Sequence, residues 1–557
     1  MMNPVVKFLH PKGDRFGAVG IDLFWTIALF GAALLLFTID LGGVALRDWD
    51  EGTVAQVAKE IYQSGTIEGW LFPQLWGTAY LNKPPLIHGL IAIVYAIAGI
   101  HDWTTRLPGA VLTACSVPLL YQLGRELFPT TLTALLGSAV YLTLLPVVRH
   151  GRLAMLDGAI VCFFLLLLIC VLRSRRDQRW CLGIGLGFAC MVLTKGILAI
   201  LLLAIALVFV VLDTPRLLRS PYWWLGLGLG AVPSMGWYLA QGVHWGWAAL
   251  GVSLGSQGFQ RVVTSVENNG GAPWYYALEL VKYSWPWLLF LPWGLQQLWH
   301  DRSFSAGKLL LVWLGGYLGV ISGMGTKLPW YIFPLYPAIA LTVGIPLADR
   351  WTGTGGWGSY IYSPRSLPRV WIIILGILGT IATGGLVYFS PWGGDPSVMA
   401  QVSVGFASSG LLLASYLGYR HNPLFIPVLL WSWYLALLCL LTAPQWLWEL
   451  EEDYPVKPVA EMISNHVPQD GIVYTNHPNH RPSLDFYSDR PVQPLDEASL
   501  MQKLSQPSPH LYFLLTESLH DRLVNPNPSD PSDPSDPSNR WETIATAERW
   551  FLMRMTN

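Results

Sequence analysis

Residues 21–65 read IDLFWTIALFGAALLLFTIDLGGVALRDWDEGTVAQVAKEIYQSG. The first half is a continuous apolar run, long enough at 1.5 Å per residue to cross a hydrocarbon core of ~30 Å. The second half turns abruptly acidic and takes up helical spacing. Asp48, Asp50 and Glu51 are followed by Val54, Val57, Ala58 and Ile61, which share one helical face. The stretch predicts a membrane span and then a short amphipathic juxtamembrane helix lying on the outer membrane surface. Asp48 and Glu51 fit the spacing of a capping box, with Asp48 as the cap. Asp50 then has no structural duty, and the positive end of the helix favours its ionised form, so it is available as a carboxylate base. Acids are common at helix starts for dipole reasons alone, so this stretch does not by itself establish chemistry.

The rest of the chain has the same oily character. It has 557 residues, of which 53% are hydrophobic and only 12% charged, with 28 Trp, a balance that excludes an ordinary soluble globular protein. Fourteen apolar runs lie between 20–41 and 424–445. Basic loops mark the inner side: Arg173, Arg175, Arg176 and Arg179, then Arg216 and Arg219, Arg302 and Lys308, and Arg365 and Arg369. A basic leader (Lys7, Lys12, Arg15) with no cleavage site puts the N-terminus in the cytoplasm. Outside fall 42–85, 149–157, 194–196, 241–275, 325–330 and everything after 446. An inside start and an outside end need an odd number of crossings, so about 13 transmembrane helices are expected. The run at 86–100, which reaches only ~22 Å, is the one that does not cross fully. The six cysteines lie in or beside apolar runs without CxxC spacing, as core fillers.

Residues 1–445 are therefore expected to form the membrane domain, carrying outer loops at 42–85 and 241–275. Residues 446–557 read as a small soluble extracytoplasmic α/β domain. VKPVAEMISNHV has helical spacing, and GIVYTN, HLYFLLTE and ERWFLMRM are strand-like. Between the last two, the Ser-Asp-Pro repeat at 525–540 is expected to be a disordered loop.

Cations collect on the outer side, where positive charge is usually depleted. Lys83 precedes two prolines in YLNKPPLIHG. Arg149, Arg152 and Asp157 occur in RHGRLAMLDG, Lys195 sits at the turn of LTKGIL, Arg261 lies in the second large outer loop, and Lys327 and Tyr331 lie in GTKLPWYIFPLYPAIAL. Each alone is explained as well by snorkelling beside a span. Together with one acid-rich helix they suit a lipid-linked phosphate or pyrophosphate approaching from the bilayer.

The ordered motifs WDEGTVAQVAKEIYQSG, NKPPL, TRLPGA, GRELF, GRLAMLDG, LTKG and TKLPWYIFPLYPAIAL resemble the GT-C superfamily of integral-membrane glycosyltransferases over about residues 45–345. The protein O-mannosyltransferase and lipid A aminoarabinose transferase group is the branch most similar. The resemblance implies the GT-C fold and inverting transfer of a sugar from a polyprenyl-phosphate carrier to an acceptor hydroxyl of a lipid, protein or glycan, on the periplasmic face of the inner membrane. It implies Asp50 as the base, Glu51 beside it and Asp157 as a second acidic motif. Lys83, Lys195, Lys327 and Tyr331, and more loosely Arg261, are implied at the donor phosphate. Departure of a lipid phosphate needs fixed positive charge and a weak hydroxyl nucleophile needs a base, so the resemblance and the residues agree.

Relatives often carry an acid before Lys-Pro-Pro and a histidine in the second loop, a pair able to hold a metal. Here those positions are Asn82 and Gly258, so no metal or other cofactor is expected, with His244 the nearest substitute ligand for a divalent ion. No nucleic-acid partner is expected, and the enzyme is read as a monomer. Two other functions compete. A transporter or flippase of lipid-linked saccharide would show mid-span charges or inverted repeats, and an O-antigen ligase-like enzyme would show an outer loop dominated by Arg and His.

Overall fold

The computed structural model describes residues 15–252, 255, 260–265, 269–353, 367–447, 454–504, 511–524 and 541–555. The Ser-Asp-Pro segment at 525–540 and Gly258 lie outside the described residues. The chain divides into two compact units. One comprises Met1–Gly43, Leu81–Leu90 and Arg106–Leu447, the other Val44–Tyr80, Ile91–Thr105 and Trp448–Asn557. The acidic loop after the first helix thus groups with the tail, although in sequence it adjoins the membrane runs.

The first unit is a polytopic helical membrane structure. Among the described residues, six helices are long and apolar enough to cross a bilayer, or seven if the bent pair Thr131–Leu142 and Leu145–Gly151 is one span. Leu86–Ala98, Leu198–Asp213 and Phe425–Leu440 are apolar but shorter, with 13 to 16 residues. At 1.5 Å per residue these reach about 20–24 Å. Small residues let helices meet backbone to backbone, as expected where lipid supplies no hydrophobic drive between helices. A Cβ on Gly185 would collide with the Gly226 carbonyl, and one on Gly230 with that of Gly185. The helices Cys181–Lys195 and Pro221–Trp245 are therefore locked together, which fixes the end that carries Lys195.

The second unit is built on a five-stranded sheet in the order Val492–Pro494, Val473–Thr475, Tyr512–Thr516, Trp550–Met555, Trp541–Ala547. The first three strands are parallel and the last two antiparallel. Helices cover both faces, so the inner strands are apolar throughout rather than alternating. Val473 and Leu514 pack with Val459 and Ile463 of helix Val456–His466 and with Leu484, while Tyr474, Phe513 and Leu515 pack on the other face with Leu500 and Leu519. Strands Val492–Pro494 and Trp541–Ala547 were not legible in the sequence, the first because a three-residue strand ending in Pro has no measurable periodicity.

Helix Gly52–Ser64 has the predicted face, with Val54, Val57, Ala58 and Ile61 all buried, and ends at Gly65 in the left-handed conformation. A helix lying on the membrane surface would turn that face to lipid, but here protein occupies it. Val57 and Ile61 pack on Tyr80 and Ala92, and Ala55 packs on Leu46 and Phe486. The apolar stripe is covered by protein.

Candidate functional site

In the membrane unit, Asp157 opens helix Asp157–Arg173 and Lys195 closes helix Cys181–Lys195, just before Gly196 at φ 53°. Antiparallel neighbours bring the two ends together, and Lys195 Nζ lies 2.5 Å from Asp157 Oδ1, with the carboxylate only 2% exposed. Each charge also sits at the helix end its sign favours, the carboxylate at an N-terminus and the ammonium at a C-terminus. Lys195 Nζ stands 5.8 Å from the centre of the Tyr331 ring. The Tyr331 carbonyl accepts the Tyr317 hydroxyl at 2.8 Å.

Lys327 adjoins a third tyrosine, Tyr276, which interacts electrostatically with Tyr331 and Tyr317. Its backbone N–H is bonded to the Asn269 carbonyl at 2.7 Å, its stem packs close against Gly271, and its ammonium is 5.6 Å from the Tyr276 ring centre. That ammonium donates to the carbonyls of Ile321 (2.9 Å) and Ser322 (2.6 Å), at the end of helix Ser305–Gly323. Desolvation lowers its pKa from the usual lysine range. Two of the three donors of Lys327 are thus spent on the helix end, whereas Lys195 gives one to Asp157. Lys195 is the better equipped of the two to receive a phosphate.

Asp157, Lys195, Lys327 and Tyr331 are therefore brought together, with Tyr276 and Tyr317 added. Sequence reasoning missed those two, because a tyrosine inside an apolar run carries no mark distinguishing it from filler. Lys83 is half-buried in Leu81–Leu90 of this unit, ahead of Pro84, whose carbonyl is bonded to His88 Nδ1 at 3.2 Å. Arg261 belongs to the one-turn helix Gln260–Val263. Arg149 and Arg152 have structural partners: Arg149 donates to the Trp446 carbonyl (2.9 Å), while Arg152 donates to the Ile39 carbonyl and lies 4.7 Å from the Trp446 ring centre. Among the described residues no group of three or more His, Cys, Asp or Glu is arranged to hold a metal, and His244 is exposed.

In the second unit, Asp50 and Glu51 lie on a tight turn before helix Gly52–Ser64. The Gly52 N–H bonds the Arg47 carbonyl at 2.7 Å, and the fully buried Glu51 carboxylate accepts the Arg47 N–H at 3.0 Å. Trp49 adopts φ 34°, a conformation costing a bulky residue about 1–3 kcal/mol, and Asp50, next in the chain, is half-buried. The expected capping box is not formed. Glu51 itself occupies the cap position, without a side-chain cap bond. Asp48 instead accepts Arg481 Nε at 2.7 Å, the Ser483 N–H at 3.3 Å and the Ser483 hydroxyl. A buried guanidinium makes a stronger claim on a carboxylate than a helix N–H does.

Beside this turn, His480 Nε2 lies 2.8 Å from Asp485 Oδ2. Burial opposes charge on the imidazole, but the hydrogen bond and charge of Asp485, with Asp48 behind, outweigh it and raise the His480 pKa. The folded chain holds this proton more tightly than the unfolded chain, where a histidine titrates at about 6.5. The resulting stability is complete below that pH and is lost as pH rises through the folded value. Hydrogen exchange of the full-length protein, corrected for intrinsic rates, should show residues 473–492 better protected at pH 6 than at pH 8. His480→Gln should abolish the difference. Equal pH dependence in both proteins would remove His480 as its source.

Residues 82–250 match the profile of the dolichyl-phosphate-mannose-protein mannosyltransferase family. The chain is 30% identical over 382 residues to an undecaprenyl phosphate-alpha-4-amino-4-deoxy-L-arabinose arabinosyl transferase of Pseudomonas fluorescens, a match covering 66% of each chain. It is 27% identical over 432 residues to the like-named protein of Pectobacterium carotovorum, covering 71% of this chain and 73% of that one. The match thus spans just under two thirds of the length of the Pseudomonas protein. In fold, the chain is similar to the crystal structure of ArnT from Cupriavidus metallidurans bound to undecaprenyl phosphate. The TM-score is 0.71 at 18% identity, over 95% of this chain and 97% of that one. In sequence and in fold the chain resembles the GT-C glycosyltransferases of the aminoarabinose transferase type.

Proposed function

We propose that this chain transfers a sugar from a polyprenyl-phosphate carrier to an acceptor hydroxyl, with inversion. The observation that carries the reading is the Lys195–Asp157 pair beside Tyr331 and Lys327, on a scaffold similar to transferases that are named for an undecaprenyl-phosphate sugar. Lys195 binds the carrier phosphate and neutralises the charge it gains as the sugar leaves, with Lys83 as a further cation and Lys327 and Tyr331 beside it. Asp157 holds Lys195 in place. Asp50 takes the proton of the attacking hydroxyl, and Glu51 braces its turn. The chain crosses the inner membrane about 13 times, the shorter apolar helices included, with its N-terminus in the cytoplasm and its chemistry and tail outside, and it acts as a monomer.

The test is single-turnover transfer in proteoliposomes from radiolabelled undecaprenyl-phosphate 4-amino-4-deoxy-arabinose, the donor in the relatives' names, scored for new glycosidic product and for carrier movement. Movement of intact carrier without bond cleavage would replace the enzyme with a transporter. Activity is also expected to survive exhaustive chelation, since the positive charge comes from lysines. Loss with chelator and recovery with a divalent ion would overturn that expectation.

A further inference from the structure

The sheet of the second unit reverses its winding at strand Val473–Thr475. This strand is flanked by parallel strands on both sides, and the chain goes first to Val492–Pro494 and then back across to Tyr512–Thr516. The crevice beyond the carboxyl ends of the strands at such a reversal is where doubly wound sheets bind ligands. Here the loop leaving that end, Asn476 to Arg481, holds a piece of its own chain. Arg481 is 4% exposed on its side chain and gives Nε to Asp48 (2.7 Å) and Nη1 to the Tyr454 carbonyl (3.0 Å), its guanidinium lying 4.0 Å from the Tyr454 ring centre. Ser483 gives its N–H and hydroxyl to the other oxygen of Asp48. The His480 ring meets Trp49 edge to face, with centroids 5.7 Å apart. Gly52 touches the backbone of Pro482 and Ser483 so closely that a Cβ there would clash with both. Residues 48, 49 and 52 are thus each gripped from one short segment, and Asp50 stands between them.

We infer that Arg481 and Ser483 are positioning residues for the Asp50 carboxylate, and that the tail domain serves the transfer step by setting the Asp48–Gly52 turn. The inference rests on the proposed role of Asp50 as base. A carboxylate displaced by about 1 Å can lose on the order of 100-fold in rate while donor binding is untouched.

The test uses the full-length protein in proteoliposomes and the single-turnover assay, with Arg481→Gln and Ser483→Ala made both alone and together with Asp50→Asn. Alone, Arg481→Gln should slow transfer by about 10–100-fold and Ser483→Ala by about 3–10-fold, with donor KM unchanged. Combined with Asp50→Asn, neither should add a further loss, because there is no longer a base to aim. A purely structural role would lower the rate by the same factor in both backgrounds, and that result overturns the inference. If Arg481→Gln does not fold, Ser483→Ala, which deletes a single hydroxyl, carries the same comparison. Full activity of Asp50→Asn overturns the reading of Asp50 as base. It is distinguishable from failure of the present inference alone, in which Asp50→Asn is slow while Arg481→Gln and Ser483→Ala transfer at the normal rate.

Discussion

Asp50→Asn is expected to lower the transfer rate constant by about two to four decades, the range that acid–base catalysis supplies, while the protein remains folded in the membrane. The neighbouring Asp48→Asn should behave differently. Asp48 carries the charge that faces the buried Arg481, so its neutralisation weakens charge-assisted hydrogen bonds and should cost about 1.5–3 kcal/mol of stability. Thermal unfolding of the detergent-solubilised protein, paired with single-turnover transfer, separates the two. Asp50→Asn should keep its unfolding temperature and lose its rate. Asp48→Asn should lose unfolding temperature, with a rate loss no larger than that of Arg481→Gln. Equal rate losses at 48 and 50 with equal stability would sink the assignment of the base.

The second large effect concerns Lys195. Lys195→Met leaves Asp157, 2% exposed, without the cation 2.5 Å away, and breaking a buried pair from one side costs about 3–5 kcal/mol. It should also remove a preorganised charge from the phosphate site, lowering kcat by about 100–1,000-fold, the usual effect of losing one such donor. Replacing both partners, Asp157→Leu with Lys195→Met, removes the stranded charge, so stability should return to near the original value. Transfer should not return. Recovery of transfer in the double variant would reduce the pair to scaffolding and pass the phosphate to Lys83.

The comparison between Asp48 and Asp50 also marks how far the sequence could be read. The acidic turn and the helix after it were visible in residues 47–65, whereas the capping box read from Asp48 and Glu51 does not form. The partner of Asp48 was not, because Arg481 lies 433 positions away and looks in sequence like any tail arginine. Lys195 and Asp157 were both visible as candidates, each at the edge of an apolar run, but their pairing depends on two helix ends meeting, and nothing local encodes that. Lys327 was legible as a cation at the edge of an apolar run. That two of its donors go to the carbonyls of residues 321 and 322 was not, since the argument from charge sees the ammonium and not the helix end beside it.

Apolar content and period are local properties, and so the sequence alone determined that this is a helical membrane protein with a mixed α/β tail, that helix Gly52–Ser64 has one buried face, and which charged residues are worth testing. What covers that face, what holds Asp48, and which lysine is spent on carbonyls were decided only by the tertiary structure. The physical reason is the same in each case. A hydrophobic stripe records that water is excluded without recording by what, and a charged side chain records its sign without recording its partner, because both partners are chosen by how the chain folds, from six residues away for Lys327 to 433 for Asp48.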